Sequence, residues 1–267
     1  MSAAAGEAHP GAAPLAGRGV LVTRPAQQAG ALARLVAESG GYSILFPVIE
    51  IMEVEDLRPL LQIIDRLQDF DLAIFISPNA VDKAMNLVAA RRAWPPDLKF
   101  AAVGQGSARE LRRRGLSGVI APEGRFDSEA LLALPEFGDM AGRRVVIFRG
   151  EGGREFLGDT LRALGAEVTY AECYRRRRAG TDAAALLRVW ARGEVHAVTV
   201  TSAEGLHNLF DMLGKLGQQW LKKTPLFAPH PRIAQAAREL GIATVVTTGP
   251  GDEGLFAGLR DYFAGRP

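Results

Sequence analysis

The chain has 267 residues, 48% of them hydrophobic and 23% charged, with 32 Lys and Arg against 30 Asp and Glu. This composition excludes a disordered chain, a collagen-like repeat and a disulfide-rich secreted scaffold; a formal net charge of +2 is too near balance to demand a nucleic-acid partner. At roughly 100–150 residues per domain two domains fit better than one, and the single Cys173 excludes an internal disulfide and suits a reducing cytoplasm.

Residues 1–14 read as a flexible tail. The first Arg comes only at position 18, so the basic start of a secretory signal is missing. Val20 to Thr23 reads as a strand, and Pro25 opens a helix that stops at Gly40-Gly41, the expected boundary residues. Leu32, Leu35 and Val36 supply that helix with its apolar stripe. A strand over 43–46, a helix near 57–67, a strand over 72–76 and a helix over 79–90 follow. Then come a strand over 100–103, a helix over 107–114, a strand at Val119-Ile120 and a helix over 127–134. No run approaches the roughly 18 apolar residues of a membrane span.

The rest of the chain repeats the order. Gly17-Arg18-Gly19-Val20-Leu21-Val22-Thr23-Arg24 resembles Gly142-Arg143-Arg144-Val145-Val146-Ile147-Phe148-Arg149, a shift of 125 residues (142 − 17). At that shift Gly40 meets Gly165, Ser77 meets Ser202 and Asp127 meets Asp252. Strands apolar on both faces, alternating with helices, predict a parallel sheet covered by helices. The expected fold class is therefore α/β, with two similar parallel-sheet domains.

In such sheets ligands bind beyond the carboxyl ends of the strands. Gly, Ser, Thr and Arg gather there, in Thr23-Arg24-Pro25, Ser77-Pro78-Asn79, Gly104-Gln105-Gly106-Ser107, Arg149 to Gly153, Thr201-Ser202 and Pro229-His230-Pro231-Arg232. Open helix N-terminal amides attract anions, so the loops point to a ligand with several carboxylates or phosphates.

Several ordered motifs carry a family resemblance. They are the opening Val-Leu-Val-Thr-Arg-Pro, the run Phe75-Ile76-Ser77-Pro78-Asn79-Ala80-Val81, and Ala102-Val103-Gly104 leading into a helix. Arg149-Gly150-Glu151-Gly152-Gly153-Arg154, a strand ending at Cys173-Tyr174, and Thr201-Ser202 before a helix complete the set. In order and spacing, from about Gly17 to Phe263, the chain resembles the uroporphyrinogen-III synthases.

The resemblance implies an outer domain of 15–50 plus 178–267 and an inner domain of 54–172. Residues 49–54 and 171–177 would be paired linker strands, with an active-site cleft between the domains. It implies a cyclising hydro-lyase of tetrapyrrole (haem) biosynthesis acting on hydroxymethylbilane, a linear tetrapyrrole with eight carboxylates. No metal or organic cofactor is implied. A monomer is implied, with hand-over of substrate from the enzyme that makes it; the cytoplasm, without nucleic-acid or membrane partners, is expected from the composition, the charge balance and the lack of a long apolar run. Among site residues the resemblance implies Tyr174 as general acid, not an essential one. Arg24, Ser77, Asn79, Gly104, Ser107, Arg149, Ser202 and Arg232 would hold the substrate's acetate and propionate groups.

Two other readings stand beside this one. A non-catalytic two-domain receptor for an anionic ligand would share the same loops and differ only in turnover. A nucleotide-dependent oxidoreductase would use Gly104-Gln105-Gly106 as a dinucleotide fingerprint, but Arg109 replaces the third glycine and the loop follows a late strand. The arginine runs 112–114 and 175–178 lack interleaved aromatics and read as a solvated helix end and a linker strand. Residues 175–178 could also steer a polyacidic substrate. Trp94, Trp190 and Trp220 read as packing residues.

Overall fold

The apolar runs become the central strands of two parallel sheets. The computed structural model describes residues 13–124, 127–153 and 155–264; most of the expected tail, Arg125, Phe126 and Arg154 lie outside the described residues. In chain order the first elements are β1 (Gly19–Val22), α1 (Ala26–Glu38), β2 (Tyr42–Leu45) and β3 (Ile49–Met52). Next come α2 (Arg58–Asp65), β4 (Leu72–Phe75), α3 (Pro78–Ala89), β5 (Lys99–Ala102), α4 (Gln105–Arg113) and α5 (Ser128–Leu132). They are followed by β6 (Arg144–Gly150), α6 (Phe156–Ala163), β7 (Glu167–Arg178), α7 (Ala183–Ala191), β8 (Ala197–Thr199) and α8 (Ala203–Lys223). The chain ends with β9 (Leu226–Ala228), α9 (Pro231–Glu239), β10 (Val245–Thr247) and α10 (Gly251–Phe263). The chain divides into two compact units, one of residues up to 50 with those from 178 onward, the other of 51–177.

The first unit holds a sheet of order β10-β9-β8-β1-β2. The second holds β3-β7-β6-β4-β5, with Ile120 bridging to Ala101 beyond β5. From β2 to β10 the first sheet has the doubly wound order 2-1-3-4-5, and from β7 through β6, β4 and β5 to Ile120 the second has that order circularly permuted, with β6 and β7 in the places of β1 and β2. The repeat seen in the sequence is thus a structural repeat: β1 answers to β6 and β8 to β4. Its registers agree too, since Val22 lies opposite Thr199 and their counterparts at the same shift, Ile147 and Ile74, lie opposite each other.

Both sheets bury their central strands on two faces, as a parallel sheet requires. In the second unit Ala73, Phe75, Val146 and Phe148 face the α2, α3 and α4 side. Leu72, Ile74, Val145 and Ile147 face α5 and α6. Phe75 stacks on Phe148 with ring centroids 4.8 Å apart, and Trp94 packs edge-on against both and against Phe100. Each such aromatic pair adds about 0.5–1.5 kcal/mol beyond simple burial. In the first unit Val20 and Val22 pack with α1 and α10 through Leu32, Val36, Leu255 and Leu259.

Helix ends follow local chemistry. α1 stops where Gly40 turns to φ +79°, with Gly41 N–H returning to Val36 O at 3.0 Å. Its counterpart α6 stops at Gly165, φ +90°, with Ala166 N–H returning to Leu161 O at 3.0 Å. A left-handed residue closes each helix, which explains why the repeat keeps glycine at both sites. Two expectations change. Val119-Ile120 is one bridging residue rather than a strand, because Pro122 has no N–H to continue the ladder. The strand placed at Cys173-Tyr174 continues without a break to Arg178.

Candidate active site

In a doubly wound sheet a crevice opens where strand order reverses, between the first and third strands of the order. In the second unit that point lies between β6 and β4, and in the first between β1 and β8.

At the second unit's reversal, β4 leads through Ile76 into Ser77, the N-cap of α3. Ser77 Oγ accepts from the Ala80 amide at 3.1 Å, and Pro78 fills the first helical position, where no N–H is needed. Ser77 Oγ also lies 2.9 Å from Tyr174 Oη. Tyr174 is only 3% exposed. Its orientation comes from an irregularity in β7: Arg149 pairs with Glu172, but Gly150 pairs with Tyr174, which leaves Cys173 as an extra residue. That bulge breaks the two-residue alternation, so Cys173 and Tyr174 are buried in the same apolar cluster as Phe75 and Phe148. The Tyr174 ring lies over Gly150, where a Cβ would come 2.7 Å from the ring.

Arg149 is 2% exposed and occupied within its own loop. It donates to Glu155 Oε1 at 2.9 Å, to Gly150 O at 3.2 Å and to Gly152 O, and its guanidinium sits 4.6 Å from the Tyr170 ring centre. The expectation that Arg149 pairs with a substrate carboxylate therefore meets a guanidinium already engaged in shaping residues 150–155. Asn79 is half-buried in the first turn of α3. In the neighbouring helix, α4, Gly104 is the N-cap with no side-chain cap, and Ser107 is buried in the first turn. The Gln105 side chain donates to Pro122 O at 2.9 Å and holds the following loop against this helix start.

At the first unit's reversal, Thr23 and Thr199 tie β1 to β8, with Thr23 Oγ1 donating to Thr199 O at 2.8 Å and Thr199 Oγ1 to Leu21 O at 3.0 Å. Arg24 forms an ion pair with Asp252 of α10. Ser202 caps α8, accepting from Gly205 N–H at 2.9 Å, as Ser77 caps α3. His230 caps α9: its Nδ1 accepts from the Arg232 amide at 3.1 Å, so that amide is already used, and the Arg232 side chain is exposed.

Residue types alone do not single out three neighbours. Asp252 is visible only as the repeat partner of Asp127, and its pairing with Arg24 needs the folded sheet. Glu155 and Gly150 matter because of Arg149 and Tyr174, and only the bulge reveals that. Cys173 is fully buried and burial pushes its thiol up to about 12, so it stays protonated and is no nucleophile. The run 112–114 ends α4 in ion pairs: Arg113 and Arg114 both meet Glu110, and Arg113 holds that carboxyl below the usual range. Trp94 and Trp190 are packing residues, the latter donating to Thr224 Oγ1 at 3.2 Å. Among the described residues no group of three or more His, Cys, Asp or Glu could hold a metal ion, and no helix is long and apolar enough to cross a membrane.

Comparison with known proteins bears on the reading. Residues 30–257 match the family model described as uroporphyrinogen-III synthase HemD. The chain is 37% identical over 224 residues to the uroporphyrinogen-III synthase of Escherichia coli, covering 83% of this chain and 91% of that protein. It is 31% identical to the Synechococcus elongatus uroporphyrinogen-III synthase, over 78% of this chain and 79% of that one. A crystal structure of a uroporphyrinogen III synthase variant from Thermus thermophilus shares the fold, with a TM-score of 0.63 at 21% identity, covering 92% of this chain and 97% of that one. The chain belongs to the uroporphyrinogen-III synthase family.

Proposed function

We infer that this protein cyclises hydroxymethylbilane to uroporphyrinogen III, a hydro-lyase reaction that expels water and inverts the terminal pyrrole ring. The observation that carries the reading is the family match over residues 30–257. The helix starts at both strand-order reversals give it physical support, since α1 after β1 and α6 after β6 begin with no side-chain cap and so keep amides for anions.

The pyrrole nitrogens of the bilane can expel the hydroxyl themselves, and the open chain closes unaided to the wrong isomer. The protein's main task is then orientation, holding the chain so that attack falls on the substituted ring position. Ser77, Asn79, Gly104 and Ser107 in one unit, with Arg24, Ser202 and Arg232 in the other, take the acetate and propionate groups. Arg24 does so as a partner shared with Asp252. Arg149 serves by shaping the loop 150–155. Tyr174 is the general acid from which the proton for the departing hydroxyl comes, and its loss slows the reaction without abolishing it. In this reading 15–50 plus 178–267 is the outer domain, 54–172 the inner one, and 49–54 with 171–177 the linkers. The protein works as a cytoplasmic monomer that receives its unstable substrate from the enzyme that makes it.

The test is to supply fresh hydroxymethylbilane, oxidise the products and separate the type I and type III isomers. Mostly type III product, at a rate proportional to protein, supports the reading. Type I alone at the protein-free rate overturns it and leaves the receptor reading in its place.

A further inference from the structure

We propose that Ser77, not Tyr174, is the hydroxyl that protonates the departing hydroxyl of the bilane, and that Tyr174 acts from behind as the proton source for Ser77. The inference rests on the reading of the activity given above and assigns its proton path.

The hydrogen bonds around Ser77 set the direction of transfer. Tyr174 is a buried residue, and among the described residues Ser77 Oγ, at 2.9 Å, is the hydrogen-bond partner of its hydroxyl. A phenol is the stronger hydrogen-bond donor and an aliphatic hydroxyl the stronger acceptor, and Ser77 Oγ is already fixed as an acceptor by the α3 cap. The phenol therefore donates and Ser77 accepts. Ser77 Oγ already accepts from the Ala80 amide at 3.1 Å, so both its lone pairs are used and its own hydrogen must point elsewhere. Ser77 is half-buried, unlike the phenol behind it, so it is the end of the pair that a ligand can meet.

Two donors into Ser77 Oγ and the positive end of α3 make this hydroxyl a better donor than an isolated serine. Serine alone is still a very weak acid. A phenolate spreads its charge over the ring and is far more stable than an alkoxide, so Tyr174 can carry the resulting negative charge. The carbon–oxygen bond of the hydroxymethyl group breaks as the pyrrole nitrogen's electron pair forms the azafulvenium cation. The oxygen leaves as water with the Ser77 proton, and the Tyr174 proton moves to Ser77 Oγ. The proton released when the macrocycle closes returns along the same path to the phenolate, so one water is lost and no proton is consumed.

Ser77→Asn separates this role from helix capping, because Asn caps as well as Ser but cannot pass a proton on. Ser77→Thr keeps both functions. We expect Ser77→Asn and Tyr174→Phe each to lower single-turnover formation of the type III isomer about 10- to 100-fold. The double variant should be no slower than the slower single one, and Ser77→Thr should keep most of the wild-type rate. A proton inventory in mixed light and heavy water should be curved for the wild type, with two protons in flight, and linear for Tyr174→Phe. A Ser77→Asn variant with the wild-type rate, or losses that multiply in the double variant, would overturn the relay. Urea unfolding of each variant shows whether a lost rate is a lost fold. Wild-type protein that forms only the type I isomer would instead sink the activity itself, before any substitution is made.

Discussion

Arg24, in the loop that leaves β1, and Asp252, in the first turn of α10, form an ion pair although 228 residues separate them. The pair ties the first strand–helix connection of the unit to its last helix. Each side chain keeps 17% exposure, so water screens the charges only in part. Asp252→Asn leaves a half-buried guanidinium without its counter-charge, and we expect a loss of about 1–2 kcal/mol, between the ranges for exposed and buried pairs. Scanning calorimetry should show the midpoint falling by about 3–6 °C; an unchanged midpoint would show that the pair is structurally idle.

Arg149 holds its loop through three acceptors and one aromatic face. Lysine has neither the fork nor the planar surface to replace it. Arg149→Lys should cost about 2–4 kcal/mol in urea unfolding, whereas Arg113→Lys, at a side chain 69% exposed, should stay within about 0.5 kcal/mol. Equal effects at the two positions would contradict the loop-shaping role.

Gly150 lies beneath the Tyr174 ring, where a Cβ would approach to 2.7 Å. Gly150→Ala should push the ring off and separate the phenol from Ser77. Its turnover should fall as far as that of Tyr174→Phe, and combining the two substitutions should add little. If Gly150→Ala keeps full turnover, the ring's position over Gly150 has no part in the chemistry.

Burial raises the Cys173 thiol to about 12 from an ordinary value of 9.0. The unfolded chain therefore loses this proton first as pH rises, and the contribution is complete below about pH 9 and lost progressively towards pH 12. Replacing Cys173 by Ala should flatten part of the decline in stability above pH 9. The wild-type thiol should also stay closed to a maleimide at pH 8 until urea unfolds the protein. Rapid labelling of folded protein would contradict the burial.

Much of this is legible in the residues. The shift of 125 between Gly17 and Gly142 exposes the repeat because each copy must rebuild the same strand, helix and left-handed glycine stop. Ser77 and Ser202 are readable as caps, since a hydroxyl ahead of a helical pattern answers a local need of the backbone. Arg149 is not: an arginine at a strand end looks the same from sequence whether it faces a ligand or turns back onto Glu155. Val119-Ile120 looks like a strand by composition, and the proline after it decides otherwise.

By itself the sequence determined the α/β class, the repeat, the helix starts and stops, and the family. The class and the helix boundaries depend on short-range patterns of apolar period and capping, whereas the repeat and the family resemblance rest on motifs recurring in order along the chain. Only the tertiary structure decided which strands neighbour one another, and hence which loops share a strand-order reversal. It also decided that β7 bulges at Cys173 and turns Tyr174 towards Ser77, 97 residues away. Sheet register and side-chain direction are set by long-range pairing and burial, and one residue's slip in a strand reverses the face it presents.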